Sequence, residues 1–156
     1  MTEQQIIDFV RESNHIEHIF RDGTQEEIAE FKRFIALPTM SIKELERFVK
    51  VYQPDAKLRD QYDMNVRVGS YYPPFGGPRI RESLKELLTK ENMSAWDLHV
   101  NYELIHPFTD GNGRSGRALW LWKNMKTSGS FLLDFYFQTL SQCADQPGKL
   151  WKQSNS

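Results

Sequence analysis

Apolar residues recur along most of this chain at helical spacing. Ile6, Phe9 and Val10 form a short stripe, and Ile16, Ile19 and Phe20 continue it; Glu12, Ser13 and Asn14 lie between, where a first helix would end and a second begin. Thr24 is placed to cap a helix with Ile28, Phe31 and Ile35 on its apolar face, and Glu27 stands at the capping-box position. Pro38 closes that segment. Ser41 opens another, with Glu44 three residues on and Leu45, Phe48 and Val49 as the buried face. The pattern changes between Asn65 and Pro78: Val66 and Val68 alternate with Arg67, then come Gly69, Tyr71-Tyr72, Pro73-Pro74 and Gly76-Gly77-Pro78, the composition of a short β-hairpin or flap. Helix returns over Arg79–Leu88 and again after Ser94. Ala118, Leu119, Leu121, Trp122 and Met125 carry a later helix to about Lys126. Phe131–Leu140 reads as an aromatic, core-facing stretch and Gln146–Ser156 as a frayed tail.

Composition narrows the class without naming an activity. At 156 residues the expectation is one domain, 1–156, with a hydrophobic core of its own. Twenty basic against 21 acidic residues give a net charge of -1, which argues against a nucleic-acid partner. The single cysteine, Cys143, excludes an internal disulfide and a multi-cysteine metal site. The charged N-terminus lacks a signal-peptide apolar run, and no segment is apolar enough to cross a bilayer, so a soluble cytoplasmic domain with no membrane partner is expected.

The densest chemistry lies in His106-Pro107-Phe108-Thr109-Asp110-Gly111-Asn112-Gly113-Arg114-Ser115-Gly116-Arg117. An imidazole can accept a proton from an attacking hydroxyl, and a carboxylate can hold Mg²⁺. Glycines let backbone N–H groups approach phosphate, and guanidiniums pair with phosphate oxygens in a bidentate way. Gly111 to Gly116 also satisfies the dinucleotide fingerprint G-x-G-x-x-G, which needs a strand and a tight turn before it. The preceding residues are ambiguous: Leu98, Val100, Tyr102 and Leu104 alternate as in a strand, while Trp96, Val100 and Leu104 keep helical spacing. The intervening Pro-Phe-Thr-Asp and the helical remainder of the chain weigh against a parallel sheet. Arg117-Ala118 stand where a P-loop would carry Lys-Ser/Thr, which removes the Mg²⁺-binding hydroxyl. What remains is an anion-binding loop leading into a helix N-terminus, with Arg114 and Arg117 three residues apart on one face.

Residues 106–117 resemble the Fic-domain signature H-P-F-x-[D/E]-G-N-G-R-x-x-R at every defined position, and the likeness extends upstream through Leu98–Ile105 and, more loosely, to Val66–Arg79. The resemblance implies an all-α helical bundle with a short β-hairpin flap over 65–78. It implies transfer of AMP from ATP, with Mg²⁺, to a Ser, Thr or Tyr hydroxyl of a target protein docking along the flap near residues 66–75. In that reading His106 is the general base and Asp110 holds Mg²⁺. Asn112 with the Gly111 and Gly113 amides cradles the α-phosphate, while Arg114 meets the β-phosphate and Arg117 the γ-phosphate. Many Fic proteins restrain themselves with a helix bearing [S/T]-x-x-x-E-[G/N]. Ser13-Asn14-His15-Ile16-Glu17 is similar to it and makes residues 1–22 a candidate inhibitory helix, with Glu17 expected to pair with Arg117; His18 follows where Gly or Asn stands in the family.

Other readings stay open at this point. They are Fic-type transfer of UMP or phosphocholine, removal of AMP, a catalytically silent nucleotide-binding module and, more weakly, a dinucleotide-dependent oxidoreductase. A homodimer is also open. His99 reads as a structural imidazole, His15 and His18 lack neighbours that would make them metal ligands, and Trp96, Trp120 and Trp122 read as core.

Overall fold

Six α-helices follow one another through residues 1–127, the part of the chain that the computed structural model describes. They are α1 (Glu3–Ile16), α2 (Gln25–Ile35), α3 (Ile42–Tyr52), α4 (Pro78–Thr89), α5 (Ala95–Ile105) and α6 (Asn112–Thr127). Four starts are fixed by the same local device: Thr2, Thr24, Ser41 and Ser94 each accept a hydrogen bond from the backbone N–H three residues on. Three of those caps are the ones expected from the sequence. Thr2 adds a reciprocal bond from its own N–H to Gln5 Oε1, which completes a capping box. At α4 the preset φ of Pro78 starts the helix instead.

The segment that sequence patterning left undecided is a helix, and the packing explains the ambiguity. In α5, Leu98, His99, Val100, Tyr102 and Glu103 are all buried; in α6, burial runs almost unbroken from Asn112 to Trp122. A helix enclosed on all sides has no polar face, so neither periodicity stands out. These two pack along each other, α4 lies on α5, and α1, α2 and α3 lie on α6. Phe9 meets Phe31 with ring centroids 4.9 Å apart, and Phe34 meets Phe48 at 4.8 Å. Burial of each such side chain contributes roughly 1.5–3 kcal/mol. Trp122 is core, its Nε1 donating to Leu37 O at 2.8 Å, and Trp96 and Trp120 pack partly buried against the same cluster.

The hairpin expected over 65–78 is reduced to one antiparallel bridge. Val68 and Tyr71 exchange N–H···O bonds of 3.0 and 2.9 Å around Gly69-Ser70, and the described residues contain no longer strand. None of the described helices is long and apolar enough to cross a membrane. Cys143, Phe131–Leu140 and Gln146–Ser156 lie outside the described residues.

The break expected at Glu12–Asn14 does not occur. α1 runs through to Ile16, and Ile19 and Phe20 follow it in non-helical chain, Phe20 mostly exposed. Ser13 and Asn14 disfavour helix interiors by competing for backbone partners. Here both are buried and take their partners from other helices, so the competition is removed. The helix ends in a Schellman motif: Ile19 N–H bonds Asn14 O at 3.0 Å, His18 N–H bonds His15 O at 2.9 Å, and His18 takes the left-handed conformation with φ 60°. A residue with a Cβ is strained there by roughly 1–2 kcal/mol. His18→Gly should therefore stabilise the protein by about 0.5–1 kcal/mol, after allowing for the greater freedom of an unfolded glycine. Urea denaturation of both proteins checks this, and a lower midpoint for the glycine variant would contradict it.

Candidate active site at the α5–α6 junction

Between α5 and α6 the chain turns through six residues, His106 to Gly111, and every one is held. Pro107 cannot extend the helix, and His106 closes it in the left-handed region at φ 48°, ψ 62° while its N–H still bonds Tyr102 O at 2.9 Å. Phe108 is buried and bridges to Leu58. The Asn112 side chain grips Phe108 twice, accepting from its N–H at 2.9 Å and donating to its carbonyl at 2.8 Å. Thr109 pairs through backbone and hydroxyl with Lys57. Gly111, at φ 78° with Val49 packed against it, makes the turn into α6 that a residue with a Cβ resists. Ser115 Oγ then bonds Gly111 O at 2.8 Å and meets the Tyr102 hydroxyl at 2.7 Å, tying α6 to α5.

Asp110 stands exposed at the outer end of this turn. Its Oδ1 accepts from Gly111 N–H at 2.7 Å and its Oδ2 from Gln53 Nε2 at 2.8 Å. A carboxylate oriented by two donors at the surface suits a hard divalent cation that keeps water and phosphate ligands. Among the described residues no cluster of three or more His, Cys, Asp or Glu side chains could hold an ion without such help.

Both arginines of the motif are buried on α6. Arg117 donates Nε to Ser13 Oγ at 2.9 Å, and its Nη2 bonds Ser13 O at 3.0 Å and Glu17 Oε1 at 2.7 Å. The expected Glu17–Arg117 pair is thus present. Arg114 lies 5.4 Å above the Tyr52 ring, and its Nη1 reaches Asn14 Oδ1 at 3.3 Å. Its Nε is buried with no hydrogen-bond partner, which is costly for a cationic donor and marks a place where an anion would be favourable. Gly113 is what lets Glu17 approach: a Cβ there would lie 2.1 Å from Glu17 Oε1. The acid therefore lies over the first turn of α6, where the helix dipole also favours negative charge.

The His106 imidazole is largely buried, and burial with the nearby Arg59 charge lowers its pKa to about 4, against the opposing pull of Asp110 and Glu17. It is neutral near pH 7 and free to accept a proton. His99 is fully buried, with Nδ1 2.9 Å from Gly116 O and a pKa lowered to about 4 by burial; it has the structural role expected of it.

The structure brings Ser13, Glu17, Gly113, Arg114 and Arg117 together, and His106 and Asp110 lie on the loop that leads into the same helix. The side chain of Asn112 and the N–H of Gly111 are bonded within the loop, to Phe108 and to Asp110 Oδ1. Four residues escaped sequence reasoning. Asn14 touches Arg114, Gln53 orients Asp110, Arg59 lies beside His106, and Glu103, raised to about 8 by burial, faces Arg117 and Glu17. Asn14 alone had a local signal, since it stands beside Ser13 in the helix that carries Glu17.

The two histidines set a pH dependence of stability. Both fold neutral, whereas unfolded imidazoles bind protons near their ordinary value of 6.5. Unfolding therefore takes up protons in that range, and the contribution present above about pH 6.5 is lost as pH falls toward about 4. Urea midpoints should drop between about pH 7 and about pH 5, and NMR titration should find neither imidazole charged at about pH 6. A titration midpoint near the ordinary value for His99 or His106 would contradict the burial argument.

Comparison with known proteins found no match among curated proteins, but the family model described as Fic/DOC family matches residues 26–122, which include the whole loop, both arginines, all of α5, and α6 as far as Trp122. The chain belongs to the Fic/DOC family.

Proposed function

We propose that this protein transfers AMP from ATP to a hydroxyl of a target protein and restrains itself through Glu17. Fic/DOC domains are generally transferases, and that coarser activity follows from family membership. The observation that carries the finer reading is the convergence at one loop–helix junction of a neutral imidazole, an oriented surface carboxylate and two buried guanidiniums, one with an unpartnered nitrogen. In-line attack at phosphorus asks for little else: positioning, neutralisation of charge and one base.

In this reading the target hydroxyl oxygen attacks the α-phosphorus while His106 accepts its proton. The bond from the α-phosphorus to the bridging oxygen breaks, and pyrophosphate leaves. Asp110, held by Gln53 and Gly111, would bind Mg²⁺, which supplies positive charge to the α- and β-phosphates. Arg114, with its open Nε, takes the β-phosphate, and Arg117 the γ-phosphate once Glu17 releases it. Negative charge on bound nucleotide raises the His106 pKa from its low value, toward that of an effective base. The target docks along the flap near residues 66–75, where Tyr72 and Phe75 stand exposed. The setting is proposed to be the cytoplasm.

Glu17 Oε1 holds Arg117 Nη2 at 2.7 Å, and a γ-phosphate would have to displace this carboxylate to take its place, so the pair acts as a restraint. Glu17→Gly should raise AMP transfer, self-modification included, and Glu17→Gly with Arg117→Ala should lose that gain. His106→Ala in the released protein should lose roughly 10²–10⁴-fold in transfer while ATP still binds. Incubation with α-labelled ATP, with UTP and CDP-choline in parallel, followed by mass spectrometry of the modified residue, reads all of these together. Equal transfer by the wild type and Glu17→Gly across ATP concentrations would reject the restraint. Label transferred only from another donor would reject AMP as the group moved.

A further inference from the structure

Arg59 has none of the usual reasons to be buried. It is 0 % exposed, and no carboxylate among the described residues lies within ion-pair distance of it. An arginine out of water is costly unless its donors are satisfied. Backbone carbonyls satisfy these. Nε donates to His106 O at 2.7 Å and Nη2 to Ile105 O at 2.9 Å, while Nη1 donates to Met64 O at 3.0 Å and Pro74 O at 2.9 Å. Its backbone continues the pattern, with Arg59 N–H on Pro107 O at 2.8 Å and Gly77 N–H on Arg59 O at 2.9 Å.

The identity of those carbonyls is informative. Ile105 and His106 are at the C-terminal end of α5, where carbonyls lack helical partners and the dipole favours a cation. Met64 immediately precedes the flap and Pro74 lies on its returning limb, on either side of the Val68–Tyr71 bridge. One guanidinium therefore joins both feet of the flap to the backbone of the imidazole residue. His106 is in the left-handed region without being glycine, and such a conformation persists only where its surroundings over-determine it. The fork on its carbonyl and on the preceding one is such a constraint. Tyr71 adds a second strut from the flap tip, its hydroxyl donating to Leu104 O at 2.7 Å.

We propose that Arg59 is a positioning residue for the transfer reaction: it sets the His106 backbone and locks it to the flap, so the base and the edge that presents the target hydroxyl keep one fixed relation. The role rests on the proposed transfer activity. A second consequence follows from the lack of a counter-ion. Burial disfavours the His106 imidazolium most, and the Arg59 charge acts in the same direction, against Asp110 and Glu17, which favour it. Arg59 thereby adds to the effect of burial in keeping the base unprotonated in the free protein.

The test uses the full chain carrying Glu17→Gly, with Arg59→Lys and Arg59→Gln added separately. Lysine keeps a cation but loses the planar fork; glutamine keeps donors but loses the charge. Each variant is first shown to melt cooperatively, and Arg59→Lys carries the test if Arg59→Gln does not fold. Arg59→Lys should lower kcat by roughly 10²-fold, the scale of an ångström of misplacement, with the Kd for a non-hydrolysable ATP analogue changed by less than about 3-fold. Hydrogen exchange at Val68, Tyr71 and Thr109 should speed up together, because flap and loop lose one shared tie. In Arg59→Gln the NMR titration midpoint of His106 should move upward, and the acid limb of the pH–rate profile with it. Unchanged kcat and unchanged exchange in folded variants would reduce Arg59 to a core residue and overturn the proposal. Nucleotide affinity falling as far as kcat would also overturn it, since the loss would then be general collapse of the loop. If the Glu17→Gly protein transfers nothing, the transfer reading fails by itself, while the exchange and titration arms still decide whether Arg59 joins flap to base.

Discussion

The junction between α5 and α6 depends on the side-chain amide of Asn112, which closes a ring of two hydrogen bonds on the backbone of Phe108. A buried loop is costly because its N–H and C=O groups lose water, so the chain must supply partners. Asn112 does so for Phe108, and that fixes Phe108 in the core with its ring against the bundle. Once Phe108 is pinned, His106 has one place to turn out of α5 and Asp110 one place to reach the surface. Gly111 then starts α6 at the position that puts Arg114 and Arg117 under the end of α1.

Two buried arginines three residues apart on one helix create an electrostatic demand that the bundle core cannot meet. α1 meets it unequally. Arg117 receives a hydroxyl, a carbonyl and a carboxylate, all from Ser13 and Glu17, whereas Arg114 receives one long bond from Asn14 and the face of Tyr52. The Asn14 amide is in turn fixed by Glu27, which Arg21 engages from the other side, so the last turn of α1 is anchored to α2 as well as to α6. Ser13 and Asn14, polar residues at the centre of three helices, belong to this site. The same demand explains why a helix end that would be tightest with glycine tolerates His18: the contacts of α1 with α2 and α6 offset its strain.

On the opposite side of the loop the problem is one of carbonyls. The last turn of α5 and the two ends of the flap present unpaired oxygens close together, and Arg59 with Tyr71 satisfies them. The flap needs this support because its own pairing is a single bridge, far short of a stable isolated hairpin. Its order therefore comes from its ties to the end of α5 and the loop that follows it.

Sequence alone determined what is local. Thr24, Ser41 and Ser94 start helices because a side-chain oxygen can reach an N–H three residues on, wherever the helix later packs. The run His106–Arg117 announced its chemistry because its spacing is contiguous, and the resemblance of Ser13–Glu17 to the inhibitory motif of Fic proteins implied a pair with Arg117. Tertiary structure decided what depends on partners distant in the chain. It made α5 a helix where the pattern allowed a strand, because enclosure on all sides erases periodicity. It kept α1 continuous through Ser13 and Asn14, because Arg117 and Glu27 satisfy their side chains. It buried Arg59, which in Leu58-Arg59-Asp60 looks like any surface arginine, and aimed Gln53 at Asp110. No local rule reports either placement, since Asp110 lies 57 residues from Gln53 and His106 lies 47 from Arg59, and only the packing of the bundle brings them near.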